Sequence, residues 1–313
     1  MEILSTLPIT MNEVSDKVKK QSDTTYSVDI ETQYLNLLDM ETISIYGIPY
    51  SISNWAMAQL CNKFALPYTY LKKCYTKDYE LAKINFERWA TLCNRQVKFR
   101  IYNNKIVGAV SDKYTFMTNN ELLNSLNEVD DLTGMTIRNH IITPERLHIR
   151  FTEDKPILDD LYCGISVDNS ETGKSSLCLK FFVYKQLCTN GLILRRLESN
   201  IFVKKHLGYT NETVESIKKG LYNLPTFKET AKQLIEESMT DTLTQREMTD
   251  TFNNLIARHL LSQQAIDSTS IDYFIQRYGR TRWALANIIT ELSQKFTLDT
   301  RLTLEDCAGQ LIS

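Results

Sequence analysis

Two stretches of this chain alternate apolar and polar residues so regularly that any fold must accommodate them as β-strands. In RQVKFRIYNNKIVGAV, Val97, Phe99 and Ile101 alternate with Gln96, Lys98, Arg100 and Tyr102. In MTIRNHIITPERLHIRFTED, Leu147, Ile149 and Phe151 face one way, and Arg146, His148 and Arg150 the other. Successive side chains on a strand project to opposite faces, so each stretch predicts one apolar and one basic face. Asn103-Asn104 suits the positive-φ turn of a tight hairpin, and Pro144 marks a second turn. LYCGISV and LCLKFFVY read as two further strands, bracketing the loop DNSETGKSS.

Helical signals surround these strands. ETISIYGIPY reads as a short strand leading into a loop, and Ser53 can cap NWAMAQLCNKFAL. Pro67 stands where a further helix can start. DYELAKINFERWATLC places Leu81, Ile84, Trp89 and Leu92 on one stripe of a helix. Thr118 with Glu121 makes a capping box. After Leu207 the periodicity is helical to the end, with Thr303 and Asp306 proposed as the cap of the last helix. The expected fold is α+β: a mostly antiparallel sheet with flanking helices and a helical C-terminal region. Residues 1–25, polar and without clear periodicity, read as a mobile N-terminal arm. Residues 26–206 read as the α+β core domain, and 207–313 as the helical region.

Composition bounds the functional classes. At 313 residues the chain can bury a sizeable core. No long apolar window exists, and Glu2 stands where a signal peptide carries positive charge, so a cytoplasmic protein off the membrane is expected. The seven cysteines are dispersed and include no Cys-x-x-Cys pair, which predicts reduced thiols. His140, His148, His206 and His259 lack zinc-site spacing, so neither a metal nor a cofactor is expected. Net charge is −2, yet Lys174 to His206 holds seven Lys/Arg against Glu198 alone. The region from Leu207 onward carries eleven bases and fourteen acids.

Three tempting motifs fail on chemistry. ETGKSS ends like a phosphate-binding loop, but Asp168 occupies the leading glycine position and a strand follows instead of a helix. It reads as an exposed hairpin loop with a turn at its glycine. Cys188 has no histidine that the sequence places beside it, and Asn190-Gly191 marks a tight turn. The pairs Asp130-Asp131 and Asp159-Asp160 would point to opposite strand faces and read as solvated loop residues. No catalytic constellation is found, so an enzyme is not expected. The basic strand faces are the remaining candidate, because cations with interleaved aromatics can follow a phosphate backbone while rings stack on bases.

The stretch DNSETGKSSLCLKFFVYKQLCTNGLIL also resembles the signature of the phage- and plasmid-encoded family called domain of unknown function nine-three-two. The resemblance is carried by Asn169, Ser170, Glu171 and Gly173, then by Cys188, Thr189, Asn190 and Gly191. Weaker matches lie in FALPYTYLKKC, VGAVSDKYTFMTNNELL and FVKKHLGYT, with Gly108 replacing the family's usual arginine. The resemblance implies a mobile genetic element, near genes for single-stranded DNA handling, recombination or evasion of host defence. It supplies no catalytic residues.

The favoured expectation is a homo-oligomer, a ring among the options, that binds or anneals single-stranded DNA in recombination. Phosphates would meet Lys98, Arg100, Arg146, Arg150, Lys180, Arg195 and Arg196, with Tyr102 or Tyr184 for stacking. The alternative is an anti-defence protein that docks on a host immunity component through Tyr273, Phe274, Tyr278 and Trp283.

Overall fold

The computed structural model describes residues 9–115, 117–128, 132, 134–185, 190–192, 200–204, 215, 218–262 and 268–312. Its strands form two sheets where the sequence suggested one. The first is built from β1 (Thr25–Glu31), β2 (Leu35–Asp39), β3 (Thr42–Ile45), β4 (Ile48–Ile52), β5 (Gln96–Tyr102) and β6 (Lys105–Ser111). Their order is β1-β5-β6-β4-β3-β2, and only the short β4–β6 pairing is parallel. Asn103 and Asn104 both take positive φ and close the β5–β6 hairpin as expected. ETISIYGIPY is a complete hairpin, β3 to β4, turning at Tyr46-Gly47.

Helices α2 (Asn54–Lys63), α3 (Tyr68–Lys77) and α4 (Tyr79–Cys93) cover one face of this sheet. Ser53 caps α2 through the Ala56 N–H. Val97, Phe99 and Ile101 meet Met57, Leu60 and Phe86 in a common core. The stripe foreseen on α4 exists, but it points outward. Leu81, Ile84, Trp89 and Leu92 are exposed, while Ala82, Phe86 and Ala90 are the buried positions. Small residues at two of those three positions let α4 lie close on the sheet, and that leaves its bulkier stripe in water.

The second sheet holds β7 (Thr136–Ile142), β8 (Leu147–Thr152), β9 (Leu161–Asn169), β10 (Leu177–Lys185), β11 (Asn190–Leu192) and β12 (Asn200–Lys204). It is antiparallel throughout, and β11 and β12 share the free edge of β10. Leu147, Ile149, Phe151, Ile165, Val167, Leu179 and Phe181 make its apolar face. Two N-terminal elements join this core: α1 (Met11–Ser22), and α5 (Asn119–Asn127), the latter started by the expected Thr118–Glu121 capping box. From the C-terminal region come α6 (Leu224–Thr240), α7 (Gln245–Ala257), α8 (Ser268–Tyr278), α9 (Arg282–Ser293) and α10 (Leu298–Ile312). Phe227 of α6 stacks on Phe181 at 5.0 Å between centroids. The fold is α+β with a helical C-terminal region, but residue 207 is no packing boundary, because those helices share the second sheet's core.

Two further expectations need correction. The N-terminal arm contains a helix. Thr10 and Glu13 form a capping box, and Val14 and Val18, one turn apart, are buried against the core. At the other end, α10 begins at Leu298, so Thr303 lies inside it and its hydroxyl bonds to the Asp299 carbonyl instead of capping.

Gly164 on β9 is set by close approach. A Cβ there would lie 2.1 Å from the Phe151 carbonyl oxygen and 2.8 Å from the Phe182 ring. Backbone oxygen cannot move aside as a flexible side chain could. Gly164→Ala is expected to destabilise the protein by about 3 kcal/mol in urea unfolding. Gly134→Ala, which meets nothing within 4 Å, is the control expected to stay within about 0.5 kcal/mol.

Candidate functional site

The loop between β9 and β10 is the joint of the molecule. Gly173 makes the expected turn at φ +75°, but the loop is not exposed: Asp168, Asn169, Ser170, Glu171 and Thr172 are all buried. It lies against β6 and α2 of the first sheet. The Thr172 carbonyl accepts from Trp55 Nε1 at 3.3 Å and Gln59 Nε2 at 2.8 Å, and Gln59 Oε1 accepts from the Ala109 N–H. A Cβ on Gly108 would sit 2.7 Å from Thr172 Cβ, so glycine on β6 admits the loop. Glu171 pairs with Arg100 of β5 and accepts the Asn119 N–H at 2.7 Å, where the start of α5 favours negative charge. Asn169 Nδ2 donates to the Met117 carbonyl and Asn119 Oδ1, both at 2.9 Å.

Beneath this joint lies a charged layer. Arg146, His148 and Arg150 do share the second sheet's other face, and helix α10 covers it. Leu298, Arg301, Leu302 and Glu305 follow helical spacing and pack toward the sheet. Arg150 and Glu305 form a fully buried pair. Arg301 Nε donates to Glu305 at 2.9 Å, and the Arg150 guanidinium lies 5.1 Å from the Phe182 ring centroid. Arg146 donates to Asp168 at 2.6 Å and also meets Asp299 at the start of α10. Gly191 belongs to this layer. It sits in strand β11 rather than a turn, and a Cβ there would lie 2.6 Å from an Arg150 terminal nitrogen.

Burial alone would raise the Asp168 carboxyl, but the bonds from His148 and Arg146 outweigh it and bring Asp168 down to about 2. Burial holds His148 below its ordinary value, so it is neutral at pH 7 and donates Nδ1–H to Asp168 at 3.0 Å. Glu305 is likewise held below the usual carboxylate range, with Arg150 and Arg301 offsetting its burial.

The expected phosphate contacts therefore divide. Arg100, Arg146 and Arg150 are internal and meet carboxylates, and Tyr184 is buried beside Phe182. Alternation placed the three arginines on the correct faces, but other elements cover them there. Lys98, Tyr102 and Lys180 remain half-buried, with the Lys98 ammonium on the Asp112 and Tyr114 carbonyls. Arg195, Arg196, Cys188 and His206 lie outside the described residues. Among the docking aromatics of the alternative reading, Tyr273 is exposed, while Phe274, Tyr278 and Trp283 lean on the core.

One open cleft adjoins the joint. It has a volume of about 870 Å³ and runs between Tyr102, Lys105 and Val107 of the first sheet and Ile141, Glu145 and Leu298 opposite. Lys174 enters it paired with Glu145 at 2.7 Å, and Asp299 at its rim pairs with Arg146. Lys105 is exposed and makes no ion pair among the described residues. Its position at a hairpin tip was visible in the sequence; its partners across the cleft were not. Among the described residues, no three His, Cys, Asp or Glu side chains are grouped to hold a metal ion, and no helix is long and apolar enough to cross a membrane.

Residues 106–304 match the model of a family described as Domain of unknown function (DUF932). The matched span runs from β6 into α10 and includes the joint, Arg146, Arg150 and Asp168. No curated protein and no solved structure matches the chain.

The depressed groups predict how stability changes in acid. A neutral buried histidine contributes stability that falls as pH drops below about 6.5, where the unfolded chain takes the proton first. Asp168, depressed to about 2, contributes stability that is present above the unfolded value near 3.9 and lost as pH falls toward 2. Urea midpoints measured from pH 7 down to pH 2 are expected to fall in two stages. His148→Gln is expected to reduce the upper stage, to which buried His140 also contributes, and Asp168→Asn the lower, to which Glu305 also contributes.

Proposed function

Given that the chain belongs to the family described as Domain of unknown function (DUF932), we propose that it binds single-stranded nucleic acid in the cleft between its sheets. The family description names no ligand, so the reading rests on the cleft. The observation that carries it is the pairing of Tyr102 with Lys105 at the tip of the β5–β6 hairpin, on the lining of this cleft. A tyrosine face suits an unstacked base, and an ammonium beside it suits its phosphate. At about 870 Å³ the cleft has room for a short piece of strand, the remainder running over the surface.

This is a narrower site than a basic groove along the strands. With Arg100, Arg146 and Arg150 neutralised inside the protein, few phosphates are contacted at this cleft, so salt dependence is modest. Strand annealing in recombination is the use that fits such a binder. Docking on a host defence protein is what a negative result would favour.

Fluorescence anisotropy of a labelled poly-dT oligonucleotide tests the proposal. Binding is expected at about 50 mM salt, where electrostatic association is strong. Tyr102→Ala should weaken it by about 1–3 kcal/mol through lost stacking. Lys105→Ala should reduce the slope of log K against log salt by about 0.7, one phosphate contact on a single strand. Lys232→Ala on the exposed side of α6 is the neutral control. No binding, or equal loss from the control, would overturn the cleft as the site.

A further inference from the structure

The stripe that α4 turns to solvent is an apolar feature that neither the fold nor the cleft accounts for. Leu81 is 44%, Ile84 61%, Trp89 42% and Leu92 60% exposed, and Tyr70 of α3, 44% exposed, borders them. Scattered apolar surface residues need no explanation, but a contiguous patch of this kind marks an interaction surface.

The order of residues along the stripe says what covers it. Counted from the middle of the helix, between Phe86 and Glu87, the stripe reads the same in both directions. Leu81 and Leu92 are equidistant from that point, as are Ile84 and Trp89, and Asn85 and Arg88. A second α4 laid antiparallel across a two-fold axis through that point brings Leu81 against the other copy's Leu92, and Ile84 against its Trp89. Such self-complementarity is the requirement of an isologous contact. The polar residues at the centre also match. Asn85 Nδ2 is already used, donating to the Leu81 carbonyl at 2.9 Å and lying 3.4 Å from the Tyr70 hydroxyl. Its Oδ1 accepts from none of the described residues, and Arg88 makes no ion pair among them. The pairing sets each Arg88 beside the other copy's Asn85, a donor facing an unused acceptor. A polar pair at the centre of an apolar seam fixes its register and direction.

The area is adequate. At roughly 200 Å² for a full large side chain, the five exposed fractions leave on the order of 500 Å² per copy. Two copies then bury about 1,000 Å² before flanking residues are added, the threshold for a specific interface. We infer that α4 is the contact through which two copies of this chain form an antiparallel, two-fold dimer. The contact is independent of the cleft, since α4 and Tyr70 line no part of it. It closes at two copies, unlike the ring entertained from sequence.

The test is the solution mass of the full chain by light scattering after size exclusion, at about 10 µM, within reach of an interface of this size. The wild type is expected at twice the chain mass of 36.3 kDa. Ile84→Glu and, separately, Leu92→Lys are expected at the chain mass with unchanged circular dichroism, because both positions are exposed. Register is read with Leu81→Cys/Leu92→Cys, expected to oxidise to a covalent dimer, whereas Leu81→Cys alone is not. A wild-type monomer would overturn the inference, including one whose stripe is covered by another segment of its own chain. A dimer that survives both charge variants would overturn it equally, by placing the contact elsewhere.

Discussion

The burial of Arg150 against Glu305 governs how the rest of the molecule is arranged. An arginine taken out of water needs a carboxylate with matching geometry, and an unpaired buried charge costs several kcal/mol. The partner comes from 155 residues further along the chain, so the pair forms only when α10 lies across the second sheet. Arg301, Leu298 and Leu302 then have a fixed place, Gly191 lets β11 approach, and Arg146 reaches Asp299. On its other side α10 packs on α9 through Leu304 and Ala308, which ties the C-terminal helices to the strands. Two carboxylates of the acidic C-terminal region, Asp299 and Glu305, thus meet the second-sheet arginines Arg146 and Arg150.

The β9–β10 loop extends the same logic to the first sheet. Asp168 serves Arg146 and His148, and three residues later Glu171 serves Arg100 on β5 and the start of α5. One short loop thus satisfies cations from both sheets. Gly108 and Gly173 are the backbone conditions for that contact, the first by close approach and the second by positive φ. With these charges paired internally, two local surface features stand out among the described residues: Tyr102 and Lys105 at one hairpin tip, and the apolar stripe of α4.

The strands were legible because alternation is a local property. Val97, Phe99 and Ile101 against Lys98, Arg100 and Tyr102 gave the correct faces, and Asn103-Asn104 the correct turn. What covers each face is not local. Nothing within residues 146–150 indicates a carboxylate waiting at position 305, so the basic faces read as surface. The stripe on α4 was also found by period, yet Ala82 and Ala90 decide that the opposite side packs, and small residues weigh little in a hydrophobic pattern. The helix α1 was missed although Thr10-Met-Asn-Glu13 is a capping box, because only Val14 and Val18 mark its buried side. Lys105 was not read as a site residue, since the cleft it lines is created only by folding.

The most direct test of this account is urea unfolding of Arg150→Met, Glu305→Leu and the double variant. If the pair is the buried tie between α10 and the second sheet, each single variant loses about 3–5 kcal/mol, and the double variant, in which buried Arg301 has also lost Glu305, recovers part of that loss. Single variants within about 0.5 kcal/mol of wild type, as for a solvated surface pair, would contradict it.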